Sequence, residues 1–80
     1  MSFPAQTVEQ AWRRAGGRCE CERRTHAHLG RCAAPLVWTN RGRSGAGAWE
    51  ANHRVRLESG GSDALSNCEI LCWNCHRRTF

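Results

Sequence analysis

Cysteine constrains this chain more than any other residue: there are six in 80 residues, two of them in Cys72-Trp73-Asn74-Cys75 immediately before His76. A chain this short buries only about 60% of the surface its unfolded form exposes, so its apolar core alone is marginal. Sequences of this kind add staples, either disulfides or a metal. Disulfides belong to oxidising compartments, and the opening MSFPAQTVEQAW has no apolar run behind a basic one, as a secretory signal requires. Histidines at 26, 28 and 76 crowd the cysteines, a donor mixture that suits zinc. The expectation is one zinc-stapled domain over residues 1–80, in a reducing, cytoplasmic setting. No apolar run is long enough to span a membrane.

The formal charge is +5, and all 12 basic residues are arginine. Four metal-bound thiolates around a divalent ion lower the total to about +3. A modest positive excess suits phosphate contacts without demanding them.

Val8, Ala11, Trp12 and Ala15 recur at i, i+3, i+4 and i+7, which predicts an N-terminal helix over about residues 4–16 with Trp12 packing inward. Thr7 with Gln10 fits a capping box, while Pro4 could open the helix a turn earlier; Gly16-Gly17 supplies the stop. Arg13 and Arg14 lie off the apolar stripe and read as solvated charges that could also touch phosphate. Residues 18–36 hold Cys19, Cys21 and Cys32 with a polar, aperiodic segment between them, read as a loop. On an extended segment Cys19 and Cys21 face the same way. Residues 36–40, LVWTN, favour a strand, and 41–47, RGRSGAG, read as an exposed loop.

The segment from 49 to 80 reads as a core of two strands and a helix. A strand over 49–55 carries Asn52 and His53, and Gly60-Gly61-Ser62-Asp63 makes a turn. A second strand over 67–71 begins at Asn67, and Cys72 to His76 opens a helix. The set Asn52-His53, Asn67, Leu71, Cys72-x-x-Cys75-His76 resembles the HNH endonuclease family, whose pattern is [D/H]-H, then N-x-x-x-L-C-x-x-C-H. The implied fold is small α+β: a ββα-metal (His-Me finger) motif with an N-terminal helix and a structural zinc site.

That resemblance implies roles. His53 maps to the general base, and Asn67 to the residue that holds the loop and orients the base. Asn52 and His76 map to ligands of a catalytic divalent cation, Mg2+, Mn2+ or Ni2+. The structural zinc site maps to Cys21, Cys32, Cys72 and Cys75, with Cys19 as the alternative to Cys21 and with His26 or His28 as further donors. A second zinc on Cys19, Cys21, His28 and Cys32 leaves Cys72 and Cys75 short of partners. Cys68 stands where the family has an apolar strand residue and reads as core. The pattern departs at Asn52, where relatives have His or Asp and a neutral amide is the poorer ligand.

The implied activity is metal-dependent DNA nicking or cleavage, with Arg41, Arg43, Arg54, Arg77 and Arg78 as phosphate contacts. A surface this small suits weak sequence preference or recruitment by a partner protein. Phage packaging and restriction systems use small nucleases of this family. The alternative is a zinc-stapled DNA-binding module whose catalysis is impaired at Asn52.

Overall fold

The computed structural model describes residues 3–22 and 30–78. Helix α1 spans Ala5–Ala15, followed by strands β1 (Leu36–Arg41), β2 (Gly47–His53) and β3 (Cys68–Cys72) and the short helix α2 (Trp73–Arg77). Two single-turn 3₁₀ segments, Leu57–Ser59 and Leu65–Asn67, lie in the β2–β3 connection. Among the described residues no helix is long and apolar enough to cross a membrane.

Helix α1 begins with Pro4 at its N-cap and without a side-chain cap, so Thr7 lies inside the helix and the capping box is not made. Proline pre-sets the helical φ and gives up an N–H that the first turn leaves unpaired anyway. Gly16 stops the helix in the left-handed conformation (φ 66), its N–H returning to the Arg13 carbonyl. Val8, Ala11 and Ala15 are buried, as their spacing predicts.

The sheet runs in the order β1-β2-β3. Strands β2 and β3 pair antiparallel from Trp49↔Cys72 to His53↔Cys68, so β2 ends two residues before the predicted Val55. The six residues of β1 run parallel to β2 against only Gly47 to Trp49, with a register slip between the two ends. A register slip of this kind bends a strand and increases its twist. Trp49, fully buried, donates its indole N–H to the carbonyls of Val37 and Trp38 at 2.9 and 3.2 Å. Its ring packs against Trp12 and Trp38, with centroids 4.7 and 5.4 Å away.

Every residue of β3 is buried because the strand is covered on both faces. Cys68 and Ile70 face α1 together with Phe3, Val8, Ala11, Ala15 and Trp49. Leu71 joins a second cluster made of Cys19, Cys21, Cys72 and Cys75. Alternation along one strand thus builds two small cores back to back.

Arg14, read from the sequence as a solvated charge, is engaged by the fold. It bridges to Glu20 at 2.6 and 2.8 Å and donates to the carbonyls of Leu65 and Cys68. Glu20 in turn accepts from the Ile70 N–H at 2.9 Å and donates its own N–H to the Ile70 carbonyl. Burial pushes the Glu20 carboxyl up, but hydrogen bonds from Arg14 and the Ile70 amide outweigh it, and the net direction is down. A carboxyl lowered on folding stabilises above its unfolded pKa, and that contribution is lost as pH falls through the folded value. Glu20→Gln should therefore lower stability by about 1–3 kcal/mol at neutral pH, with the gap narrowing in acid, as read from urea unfolding.

Candidate metal centre and active site

Residues 18–21 fold back on 32–35. Arg18 bridges Pro35, the Cys19 N–H donates to Ala34, Ala33 donates to Cys19, and Cys32 donates to Cys21. The pairing brings three thiols to the end of β3, where Cys72 caps α2 and Cys75 lies in its first turn. The Sγ atoms of Cys19, Cys32, Cys72 and Cys75 all lie within 4.8 Å of one another. Thiolates on a tetrahedral zinc at 2.3 Å stand about 3.8 Å apart, so the group needs only a slight contraction to hold such an ion. Four converging soft donors suit a structural metal such as zinc.

Cys21, favoured from the sequence, lies outside that foursome, and Cys19 takes the place. Both thiols are fully buried on the same side, as alternation requires, and Cys21 lies against Cys75. Which of the two closes the group depends on the backbone path, including a left-handed Ala33 (φ 55) that residue types do not announce. His26 and His28 lie outside the described residues.

The Cys72 thiol is drawn well down because the Cys19 thiol donates to it, an effect larger than that of burial, and Cys75 and Cys32 add further hydrogen bonds. Cys19 is pushed up, first by donating to Cys72 and then by burial. Cys75 is pushed up by burial and by its contact with Cys72. Cys68 stays apart in the α1 core, where burial raises its thiol to about 11. It behaves there as a small hydrophobe.

The second group of predicted residues gathers at the open end of β2. His53 is the last residue of the strand, and its imidazole stacks on Phe3 with ring centroids 3.8 Å apart at 18°. The Nε2 atom lies 2.8 Å from the Asp63 carboxylate. Asn52 faces the other side of the sheet, paired with Glu69 across the ladder. Its Nδ2 donates to Glu69 Oε1 at 3.0 Å and to the His53 carbonyl at 3.2 Å. Glu69, fully buried, also accepts from Arg54 at 3.2 Å. Glu69 shares this face with Leu71, which packs on the thiol cluster, so Asn52 lies on the α2 side and His53 on the α1 side.

Asn67 ties the connecting loop. Its Oδ1 accepts from the Val55 N–H at 2.8 Å, and its Nδ2 donates to the carbonyls of Val55 and Ser62 at 3.0 and 2.7 Å. His76 lies half-buried on α2.

The arginines divide. Arg41 pairs with Glu50 and lies over the Trp49 ring, and Arg54 pairs with Glu69. Arg77 lies over the Trp73 ring, and Arg43, Arg77 and Arg78 are exposed.

The strand-end histidine, the loop-tying asparagine and a helix opened by Cys-x-x-Cys-His together form the arrangement the motif implied. Residues 30–79 match the family model for HNH endonuclease. The chain belongs to the HNH endonuclease family. It is also similar to the type IV methyl-directed restriction enzyme EcoKMcrA of Escherichia coli (strain K12), with 54% identity over 28 residues. That match covers 35% of this chain and spans 10% of the restriction enzyme. No solved structure matches.

Sequence reasoning missed Asp63 and Glu69, the carboxylates that hold the two motif residues of β2. For Glu69 a signal existed: a charged residue inside an otherwise apolar strand is normally paired.

A bound structural metal couples its binding energy to folding, about 10–16 kcal/mol for zinc in small peptides. A strong chelator under reducing conditions should therefore unfold this HNH domain, and elemental analysis should find one zinc per chain. A metal-free protein with an unchanged circular dichroism spectrum contradicts this.

Proposed function

We propose that the chain is a metal-dependent DNA endonuclease or nickase that hydrolyses phosphodiester bonds with His53 as general base and one divalent cation. The observation that carries this reading is the junction at the end of β2. His53 closes the strand, Asn67 clamps the loop that follows it, and His76 stands on α2, which packs against β2. Asn52 and His53 point to opposite sides of the sheet, so this reading requires the phosphate to bind at the strand end, where both faces meet.

The residues fit a cation in donor type. Asn52 directs its amide hydrogens at Glu69 and the His53 carbonyl, which turns Oδ1 away from them as a hard oxygen donor. With the His76 imidazole, it would supply a mixed oxygen–nitrogen donor set of the kind that Mg2+, Mn2+ or Ni2+ accepts. A cation held there supplies Lewis-acid neutralisation of the phosphate and the leaving oxygen. His53 takes a proton from the attacking water, a task matched to imidazole at neutral pH. Asn67 holds Val55 and Ser62 together and so fixes the loop that follows the base. Arg43, Arg54, Arg77 and Arg78 are exposed and supply the phosphate contacts in this reading together with Arg41, while Arg41 and Arg54 also pair with Glu50 and Glu69.

The competing reading is a zinc-stapled DNA-binding module with impaired catalysis. What favours it is the neutral amide at position 52, bonded to Glu69 in place of an anionic or imidazole ligand. Plasmid nicking with magnesium, manganese or nickel separates the two. The parent chain should nick, and His53→Ala should lower the rate by about 10²–10⁴-fold with fold and DNA affinity kept. A parent without activity supports the binding module, and a variant with near-normal turnover removes His53 from the chemistry.

Asn52→His should raise activity most at low metal concentration, where occupancy limits the rate, and converge with the parent at saturation. Metal-free DNA affinity should stay the same. No gain with any of the three cations means that residue 52 is not a limiting ligand.

A further inference from the structure

The loop that Asn67 ties delivers a carboxylate to the proposed base, and the backbone on both sides of that carboxylate is fixed. On one side the Ser62 carbonyl accepts from Asn67 Nδ2 at 2.7 Å. On the other, the Ala64 N–H donates to Ser62 Oγ at 3.3 Å, and the Ala64 carbonyl accepts from the Asn67 N–H at 2.9 Å. Gly61 lets the loop close: a Cβ there would sit 1.8 Å from the Val55 carbonyl oxygen. Asp63 is exposed, yet its Oδ1 lies 2.8 Å from His53 Nε2. The imidazole is only 14% exposed because the Phe3 ring covers one of its faces. The histidine is thus held in two ways, its plane by Phe3 and its rotation within that plane by Asp63.

A carboxylate facing one ring nitrogen selects the tautomer that donates to it, and the lone pair then sits on the other nitrogen. We propose that Asp63 is a positioning residue for His53: it accepts a hydrogen bond from Nε2–H and leaves Nδ1 as the nitrogen that receives the proton from water. The proposal rests on the reading of His53 as the base. In the step, a water O–H proton passes to Nδ1 while the water oxygen bonds to phosphorus. The bond from phosphorus to the 3′ oxygen breaks, and the leaving oxygen keeps the electron pair and is protonated by solvent. The imidazolium formed lies against a full negative charge, an advantage that a neutral backbone acceptor does not give.

The test has one readout that needs no activity. Nitrogen-15 spectra of the His53 ring in the parent chain, taken where the ring is neutral, should show a single tautomer with its proton on Nε2. That proton should appear downfield, exchange slowly with water, and lose this protection in Asp63→Ala. Nicking turnover should fall about 10–100-fold in Asp63→Ala with DNA affinity unchanged, the range lost with an orienting partner of a functional histidine. Asp63→Asn, which keeps an oxygen acceptor but not the charge, should recover part of it. A proton on Nδ1, or a mixture of tautomers in the parent, overturns the proposal. So does full turnover in Asp63→Ala where His53→Ala is inactive, since Asp63 then serves only to fasten the loop. If His53→Ala itself retains turnover, the base assignment fails, and the nitrogen spectra report the tautomer separately.

Discussion

The structure depends on four thiols meeting at the end of one strand. Helix α2 has five residues, too few to be stable alone, and it makes no side-chain cap of its own. Its first turn is fixed instead by Cys72 and Cys75, which meet Cys19 and Cys32 from a distant segment. His76 follows Cys75 directly, so its position follows from that meeting. The same four residues tie the paired segments 18–21 and 32–35 to the end of β3, alongside the hydrogen bonds between Glu20 and Ile70. A structural metal there would close both the fold and the frame of the proposed active site.

A second constraint comes from strand alternation. Neighbouring residues of β2 must face opposite ways, so the motif pair Asn52-His53 is divided between two surroundings. Asn52 is held by Glu69 on the thiol side, and His53 by Phe3 and Asp63 on the helix side. The strand ends at His53, directly after Asn52. The clamp formed by Asn67 lies at that end, and the loop it tightens is the loop that carries Asp63.

Much of this was legible in the residues. The apolar stripe of α1, the short β1, the ββα order and the cysteine knuckle all follow from periodicity and spacing, because each is set by local geometry. What was not legible depends on backbone path. Cys19 and Cys21 are equivalent to any pattern argument, and only the fold-back onto 32–35 distinguishes them. Arg14 looked like a solvated helix charge, yet Glu20 and two carbonyls 51 and 54 residues away engage it. Arg41 and Arg54 were expected at phosphates on the strength of their position, and nearby carboxylates hold both.

The central claim is that Cys19, Cys32, Cys72 and Cys75 hold one zinc on which the site is built. X-ray absorption at the zinc edge of the purified protein tests it most directly. The account predicts four sulfur neighbours at about 2.3 Å, unchanged in Cys21→Ser and reduced in Cys32→Ser. Nitrogen or oxygen neighbours in the parent chain, or a sulfur lost in Cys21→Ser, contradict it.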